Sequence, residues 1–402
     1  MNRSLKNYQP APVSCLLPDF ISDANKASEQ KIQDKAHRLE KALMSYGISA
    51  EVIDTKFGPS ITRFEIALRP GTRVMALTRL TDDLMFAMAV ESIRIDYPIH
   101  GKPFIAVIEI PNEHQETVSL RRLVENEAFI GSSPLTVSLG LDVSREPVYC
   151  NLAKMPHLLI AGSSGTGKSV CLNAILASLL LHSSPEDVRM ILIDPKYVEL
   201  SPYNGIPHLL MPVITDPEQG IEALKCLIAE MERRYKIFAE NKARDIKVFN
   251  EKHKILFEAE HMPSILCVID EFSELKLVSS DEVETCISRL AAYGRAAGIH
   301  LVISTQIPSP SVVTGVIKSN IGSRIAFAVH STVDSRSVIE QCGAETLIGK
   351  GDMLYSPVSS PRPIRCQGAF ISDSEVDSIT DYLREQYGQH YDEAWLNGRG
   401  RR

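Results

Sequence analysis

The residues best suited to chemistry are Gly162-Ser163-Ser164-Gly165-Thr166-Gly167-Lys168-Ser169, which fit the pattern GxxxxGK[ST]. They lie between the apolar run HLLIA and the helix-forming run VCLNAILASLLLH, the strand-to-helix context this pattern requires. A loop of this kind cradles phosphates. Its glycines let backbone N–H groups wrap the anion, and the helix N-terminus that follows favours negative charge. The lysine reaches the β- and γ-phosphates, and the hydroxyl ligates a divalent cation. All eight residues are therefore candidate nucleotide contacts, with Lys168 also acting in catalysis, Ser169 as a metal ligand, and ATP and Mg²⁺ as the ligands.

Downstream, the apolar run SILCVI ends in Asp270-Glu271. A carboxylate at the carboxyl end of a parallel strand faces the crevice that a phosphate loop opens. Asp270 is the candidate to hold Mg²⁺ through water, and Glu271 the candidate general base that polarises an attacking water. A third strand, HLVIS, ends in Thr305-Gln306, where Gln306 is placed to contact the γ-phosphate. Arg295, in Tyr293-Gly294-Arg295-Ala296-Ala297-Gly298, has two readings. It is either an arginine finger for a neighbouring subunit's site or a solvated cation complementing a helix dipole. Asp194-Pro195-Lys196 and Met231-Glu232-Arg233-Arg234-Tyr235 carry charge without a distinctive spacing and are read as packing or subunit contacts.

The elements that must hold these groups follow from the apolar pattern. Short Val/Ile/Leu runs at Leu158–Ala161, Met190–Ile193, Ser264–Ile269, His300–Ser304 and Arg324–Ala328 alternate with long amphipathic helices. That alternation implies an α/β fold with a parallel sheet covered by helices on both faces. Before it, a helix from about Glu29, strands around Ala50–Ile53 and Ile61–Ala67, a helix from Asp82 to Ile93 and a strand from Phe104 to Ile110 make a small α/β unit. The expected division is a flexible segment over 1–28, the small accessory unit over 29–118, the larger α/β unit with the phosphate loop over 119–372, and a C-terminal helix with a basic tail over 373–402.

With 402 residues and 44% hydrophobic content the chain can bury a full core, and a net charge of −7 argues against a surface coated in basic residues. Any nucleic-acid contact must be local. No apolar stretch reaches the roughly 18 to 20 residues of a membrane span. The eight cysteines form no CxxC pair, which suits reduced thiols and a cytoplasmic location.

The stretches FGPSITRFEIAL, MPHLLIAGSSGTGKSV, PEDVRMILIDPK, NGIPHLL, MERRY, IDEF, RAAGIHLVISTQ, TGVIKSNI and DSRSVIEQCGAETLIGKGDMLY resemble the FtsK/SpoIIIE family of DNA translocases. The resemblance implies an accessory α domain and a RecA-like β motor domain, assembled as a hexameric ring around duplex DNA. It also implies that Arg295, matching the arginine of RAAGIH, is the finger. Family members usually add a membrane-spanning region, a linker and a winged-helix domain, none of which has a counterpart in this sequence. Two positions expected to face the ring's pore also depart: Ile307 stands where TQRP carries arginine, and Thr332 replaces a lysine before DSR. Lys318 keeps its charge and is the expected DNA contact.

The expected function is ATP-driven translocation along double-stranded DNA without base readout. A ring ATPase that pumps a protein substrate is the alternative. A nucleotide-dependent scaffold without hydrolysis is disfavoured, because Lys168, Ser169, Asp270, Glu271 and Arg295 are all present.

Overall fold

The five apolar runs become adjacent strands in the computed structural model, which describes residues 8–18, 29–97, 102–256 and 261–396. Two sheets organise the described residues. The smaller contains α1 (Glu29–Ser45), β1 (Ala50–Phe57), β2 (Ile61–Leu68), α2 (Val74–Arg79), α3 (Thr81–Met88), β3 (Arg94–Asp96) and β4 (Ile105–Pro111). Its strands run antiparallel in the order β1-β2-β4-β3. Leu39 and Leu43, one helical turn apart on α1, join Phe64, Ile66, Leu84 and Ile108 in its core. The helix expected to continue to Ile93 stops at Met88. Ala89 turns left-handed there (φ 54°), which lets Ile93 enter the core ahead of β3.

The larger sheet begins with β5 (Val118–Ser119), α4 (Leu120–Val124), α5 (Glu127–Ile130), β6 (Thr136–Asp142) and β7 (Pro147–Asn151). Then come β8 (His157–Ala161), α6 (Lys168–Leu180), β9 (Val188–Ile193), α7 (Pro217–Glu240), α8 (Ile246–Leu256) and β10 (Ser264–Ile269). The chain continues through α9 (Phe272–Ala297), β11 (Ile299–Thr305), α10 (Gly315–Asn320), β12 (Ser323–Phe327) and α11 (Thr332–Ile339). Last are β13 (Asp352–Ser356), β14 (Ile364–Phe370), α12 (Asp373–Tyr387) and α13 (Glu393–Leu396). The strand order is β7-β6-β14-β13-β12-β8-β11-β10-β9, with β5 paired to β14.

The run β12-β8-β11-β10-β9 is parallel, as is the short β5–β14 pair, whereas β13, β14, β6 and β7 extend the sheet antiparallel. Alternate residues along the parallel strands feed opposite faces. Leu158, Ile160, Met190 and Val268 pack under α6 and α12, whereas Leu159, Ile191, Cys267 and Ile303 pack under α7 and α9. Helix α6 is buried almost all round, which explains its apolar sequence on every side. Asp216 caps α7 through the Glu218 N–H, with Pro217 at the first helical position, and Ser372 with Glu375 forms a capping box on α12.

Residues 8–18, expected to belong to a flexible lead-in, are instead packed on the larger unit. Ala11 and Leu16 are buried in its core, the Ala11 N–H donates to Leu180 O at 3.0 Å, and the Leu17 N–H donates to Glu375 Oε1 at 2.9 Å. Two apolar side chains with satisfied backbone bonds are enough to fix a short strap. The basic tail lies outside the described residues. None of the eight cysteines forms a disulfide, and six are buried. Among the described residues no helix is long and apolar enough to cross a membrane.

Candidate active site

Because β8, β10 and β11 run parallel, their carboxyl ends lie along one edge, and that edge gathers Gly162–Ser169, Asp270–Glu271 and Thr305–Gln306. Strand β11 sits between β8 and β10, so Thr305 and Gln306 stand between the phosphate loop and the acidic pair. A groove of about 1830 Å³ opens there, lined by Lys168, Ser169, Gln306, Lys350 and Gln367 and reaching Lys35 of the small unit.

The phosphate loop depends on glycine at Gly167. Its φ is 118°, and a Cβ there would come within 2.8 Å of Gly351 N. Thr166 Oγ1 donates to Ser163 O at 2.7 Å, and Lys168 Nζ donates to the same carbonyl at 2.8 Å. Burial lowers the Lys168 pKa, countered by the charges of Glu271 and Asp270. Those two carboxylates therefore stand within electrostatic reach of the loop lysine.

The two acids occupy different environments. Asp270 is pushed up to about 6, first by burial and then by the charges of Asp194, Glu199 and Glu271, against a hydrogen bond from Ser304. Glu271 also loses solvent, which would raise it. Hydrogen bonds from the Ser273 hydroxyl and the Gln306 N–H, together with the Lys196 ammonium, outweigh that and hold it below the usual range. Its Oε1 accepts from Ser273 Oγ at 2.6 Å, Thr305 Oγ1 at 3.0 Å and Gln306 N at 3.2 Å, while Lys196 Nζ reaches Oε2 at 3.1 Å. The Glu271 backbone is left-handed at φ 57°, a strained conformation for a glutamate and one that concentrates at functional sites.

Lys196 was not singled out from sequence for this role. Register explains it: β9 pairs with β10 so that Ile193 faces Ile269, bringing Asp194-Pro195-Lys196 beside Asp270-Glu271. Buried Asp194 accepts from the N–H groups of Lys196, Glu199 and Leu200, which shapes the turn that presents the lysine.

Arg295 lies elsewhere. Helix α9 leaves the carboxyl edge after Glu271 and crosses the sheet to enter β11 at Ile299, so Arg295 sits exposed on the opposite edge, near His157. The five residues of β8, at about 3.3 Å each, separate that level from Gly162 by roughly 17 Å. Arg295 thus does not belong to its own chain's phosphate site. Arg234, read as packing, donates to Ala297 O at 2.8 Å and closes the end of the same helix. Lys318, on α10, is half-buried; its carbonyl accepts from Arg324, and it lies away from the groove. Ile307 is 54% exposed just past β11.

A phosphate loop on a helix-covered sheet, with paired carboxylates at the ends of neighbouring strands, defines a RecA-like P-loop ATPase motor fold. A solved structure agrees: the pCW3 conjugation coupling protein TcpA in a monomer form with ATPγS superposes with TM-score 0.61 at 22% identity, over 88% of this chain and 99% of that one. So does the cytoplasmic domain of the Thermomonospora curvata type VII secretion ATPase EccC, with TM-score 0.58 at 21% identity over 69% of this chain and 35% of that one. Family models match as the FtsK/SpoIIIE family over residues 119–310 and the FtsK alpha domain over residues 11–112. A DNA translocase FtsK of Caldanaerobacter subterraneus subsp. tengcongensis is 49% identical across 96% of this chain and 54% of its own length. The chain belongs to the FtsK/SpoIIIE family. It spans about half the length of the curated relatives it matches.

Proposed function

We propose that the chain is the motor of an ATP-driven translocase that moves along double-stranded DNA as a ring of identical subunits, hexameric by the family's pattern, on the cytoplasmic side of the cell. The observation that carries this reading is the convergence of Lys168, Asp270 and Glu271 on one sheet edge, in a chain aligned over 96% of its length with a DNA translocase. The placement of Arg295 on the far edge supports the ring, since a finger there serves only a second copy's site.

The residues divide the work. The backbone of Gly162–Gly167 and the Lys168 ammonium bind the phosphates, Glu271 orients and deprotonates the attacking water, and Gln306 lines the groove beside it. The donor set suits a hard divalent cation: the Ser169 hydroxyl and the Asp270 carboxylate are oxygen ligands, and the carboxylates crowding Asp270 leave a local deficit of positive charge. When bound, Mg²⁺ supplies charge neutralisation on the transferring phosphoryl group.

The test is ATP hydrolysis with and without linear duplex DNA at two salt concentrations, with Glu271→Ala as the inactive control. Strong, salt-sensitive stimulation is expected. Basal activity that duplex DNA leaves unchanged favours the second reading, a ring that pumps protein, for which exposed, uncharged Ile307 and Thr332 in place of a lysine are the supporting observations.

A further inference from the structure

The phosphate loop rests on a second loop, residues 348–352, which leads into β13. The Gly351 N–H donates to Thr166 O at 2.9 Å, and the Gly351 backbone fills the space a Cβ on Gly167 would need. Three consecutive residues of this second loop are left-handed: Gly349 at φ 83°, Lys350 at 50° and Gly351 at 92°. A lysine held in that region is strained and stays there only because its surroundings over-determine it.

Those surroundings include the small unit. Gln367, on β14, donates from Nε2 to Lys350 O at 2.8 Å, and its Oε1 accepts from the hydroxyl of Ser60, in the turn between β1 and β2. On the other side, Asp352 Oδ2 accepts from Ile348 N at 3.0 Å and pairs with Arg365 at 2.7 Å. The same guanidinium reaches Glu109 of β4 at 2.9 Å, where Arg94 of β3 also binds at 3.1 Å. Ser60, Gln367, Glu109, Asp352 and Arg365 are all buried. Both flanks of the loop that braces the phosphate site are therefore held by buried side chains whose other partner is the small unit. Cementing two domains would require only the Glu109–Arg365 pair. The Ser60–Gln367 chain does something more specific, ending on a carbonyl one residue from the Gly351 contact with the phosphate loop.

We propose that Gln367 is a positioning residue for nucleotide binding: it transmits the seating of the small unit, sensed at Ser60, through the 348–352 loop to Thr166 and Gly167. Rotation of the small unit then changes nucleotide affinity without touching the nucleotide. The proposal rests on the phosphate-loop reading above.

The test uses the full chain and equilibrium binding of a fluorescent ATP analogue, alongside urea unfolding without nucleotide. Ser60→Ala and Gln367→Leu are each expected to weaken analogue binding by about three- to tenfold, the range that one net buried hydrogen bond commands. Because the two act in series, the double variant is expected to bind no more weakly than Gln367→Leu alone, and Ser60→Thr, which keeps the hydroxyl, to retain affinity. Unchanged affinity in both single variants, even with a lowered unfolding midpoint, overturns the proposal, as do additive effects. Should Gln367→Leu fail to fold, Ser60→Ala decides the matter alone. A wild-type chain that does not bind the analogue overturns the phosphate-loop reading itself, and this proposal with it.

Discussion

Asp270 is held among groups that disfavour its charge, so a neutral isostere there should stabilise the fold while abolishing the chemistry. Burial and the neighbouring Asp194, Glu199 and Glu271 raise its carboxyl from 3.8 to about 6. The folded chain then holds this proton more tightly than the unfolded chain does. Its contribution to stability is full below pH 3.8 and is lost as pH rises through about 6. By pH 8 the gap between the two values amounts to a cost of ~3 kcal/mol, at ~1.36 kcal/mol per pH unit. At pH 4.5 the same linkage leaves only ~1 kcal/mol, because the folded carboxyl is still protonated. Asp270→Asn removes the charge and keeps an oxygen for the Ser304 hydroxyl. Urea unfolding in the presence of a chelator should therefore find the variant more stable than wild type by ~3 kcal/mol at pH 8 and by about 1 kcal/mol at pH 4.5. Adding Mg²⁺ with a non-hydrolysable ATP analogue should stabilise wild type more than the variant, which keeps the phosphate loop but loses the carboxylate proposed to hold the cation. A gain of equal size at both pH values, or a loss at pH 8, would refute the argument that burial and the neighbouring carboxylates disfavour the charge at this position.

Three further outcomes test the remaining roles. Glu271→Gln should lower kcat by at least about 100-fold, the lower end for a general base, while analogue binding stays near wild type; comparable losses in both would make Glu271 structural. Lys196→Met should move the acid limb of the kcat–pH profile to higher pH, since the ammonium is one of the groups holding Glu271 down, and an unmoved limb would leave Lys196 as a turn residue only. Lys168→Ala and Arg295→Ala should each be inactive alone, whereas mixing them should restore measurable hydrolysis, because one interface of the mixed ring unites an intact phosphate loop with an intact finger; no recovery on mixing would place Arg295 outside catalysis.

The parts of this architecture that sequence discloses are those encoded locally. The phosphate loop, the strand ending at Asp270 and the helix over Asp373–Tyr387 are each written in a contiguous pattern: glycine spacing, an apolar run broken by acid, a capping box followed by helical periodicity. The antiparallel half of the large sheet is not local in this sense. Strands β6 and β7 pair through a hairpin with a register shift between Ser138 and Gly140, which interrupts alternation, and β14 lies next to β6 only because the chain returns from far downstream. The strap at residues 8–18 is hidden in the sequence for a related reason: proline-rich composition predicts the absence of regular structure, and burial of Ala11 and Leu16 does not require any.

Lys196 marks the same boundary inside the site. Its charge was visible, but its role depends on β9 being the neighbour of β10, a matter of strand order that no residue type announces. The order has a physical consequence that ties the site together. With β11 placed between β8 and β10, the Gln306 N–H and the Thr305 hydroxyl reach Glu271 from one side while Lys196, arriving from β9, reaches it from the other. Glu271, the proposed base, is therefore held from the two strands that flank β10. A shift of either β9 or β11 relative to β10 alters the donors on Glu271, so its hydrogen bonding depends on how these three strands are set.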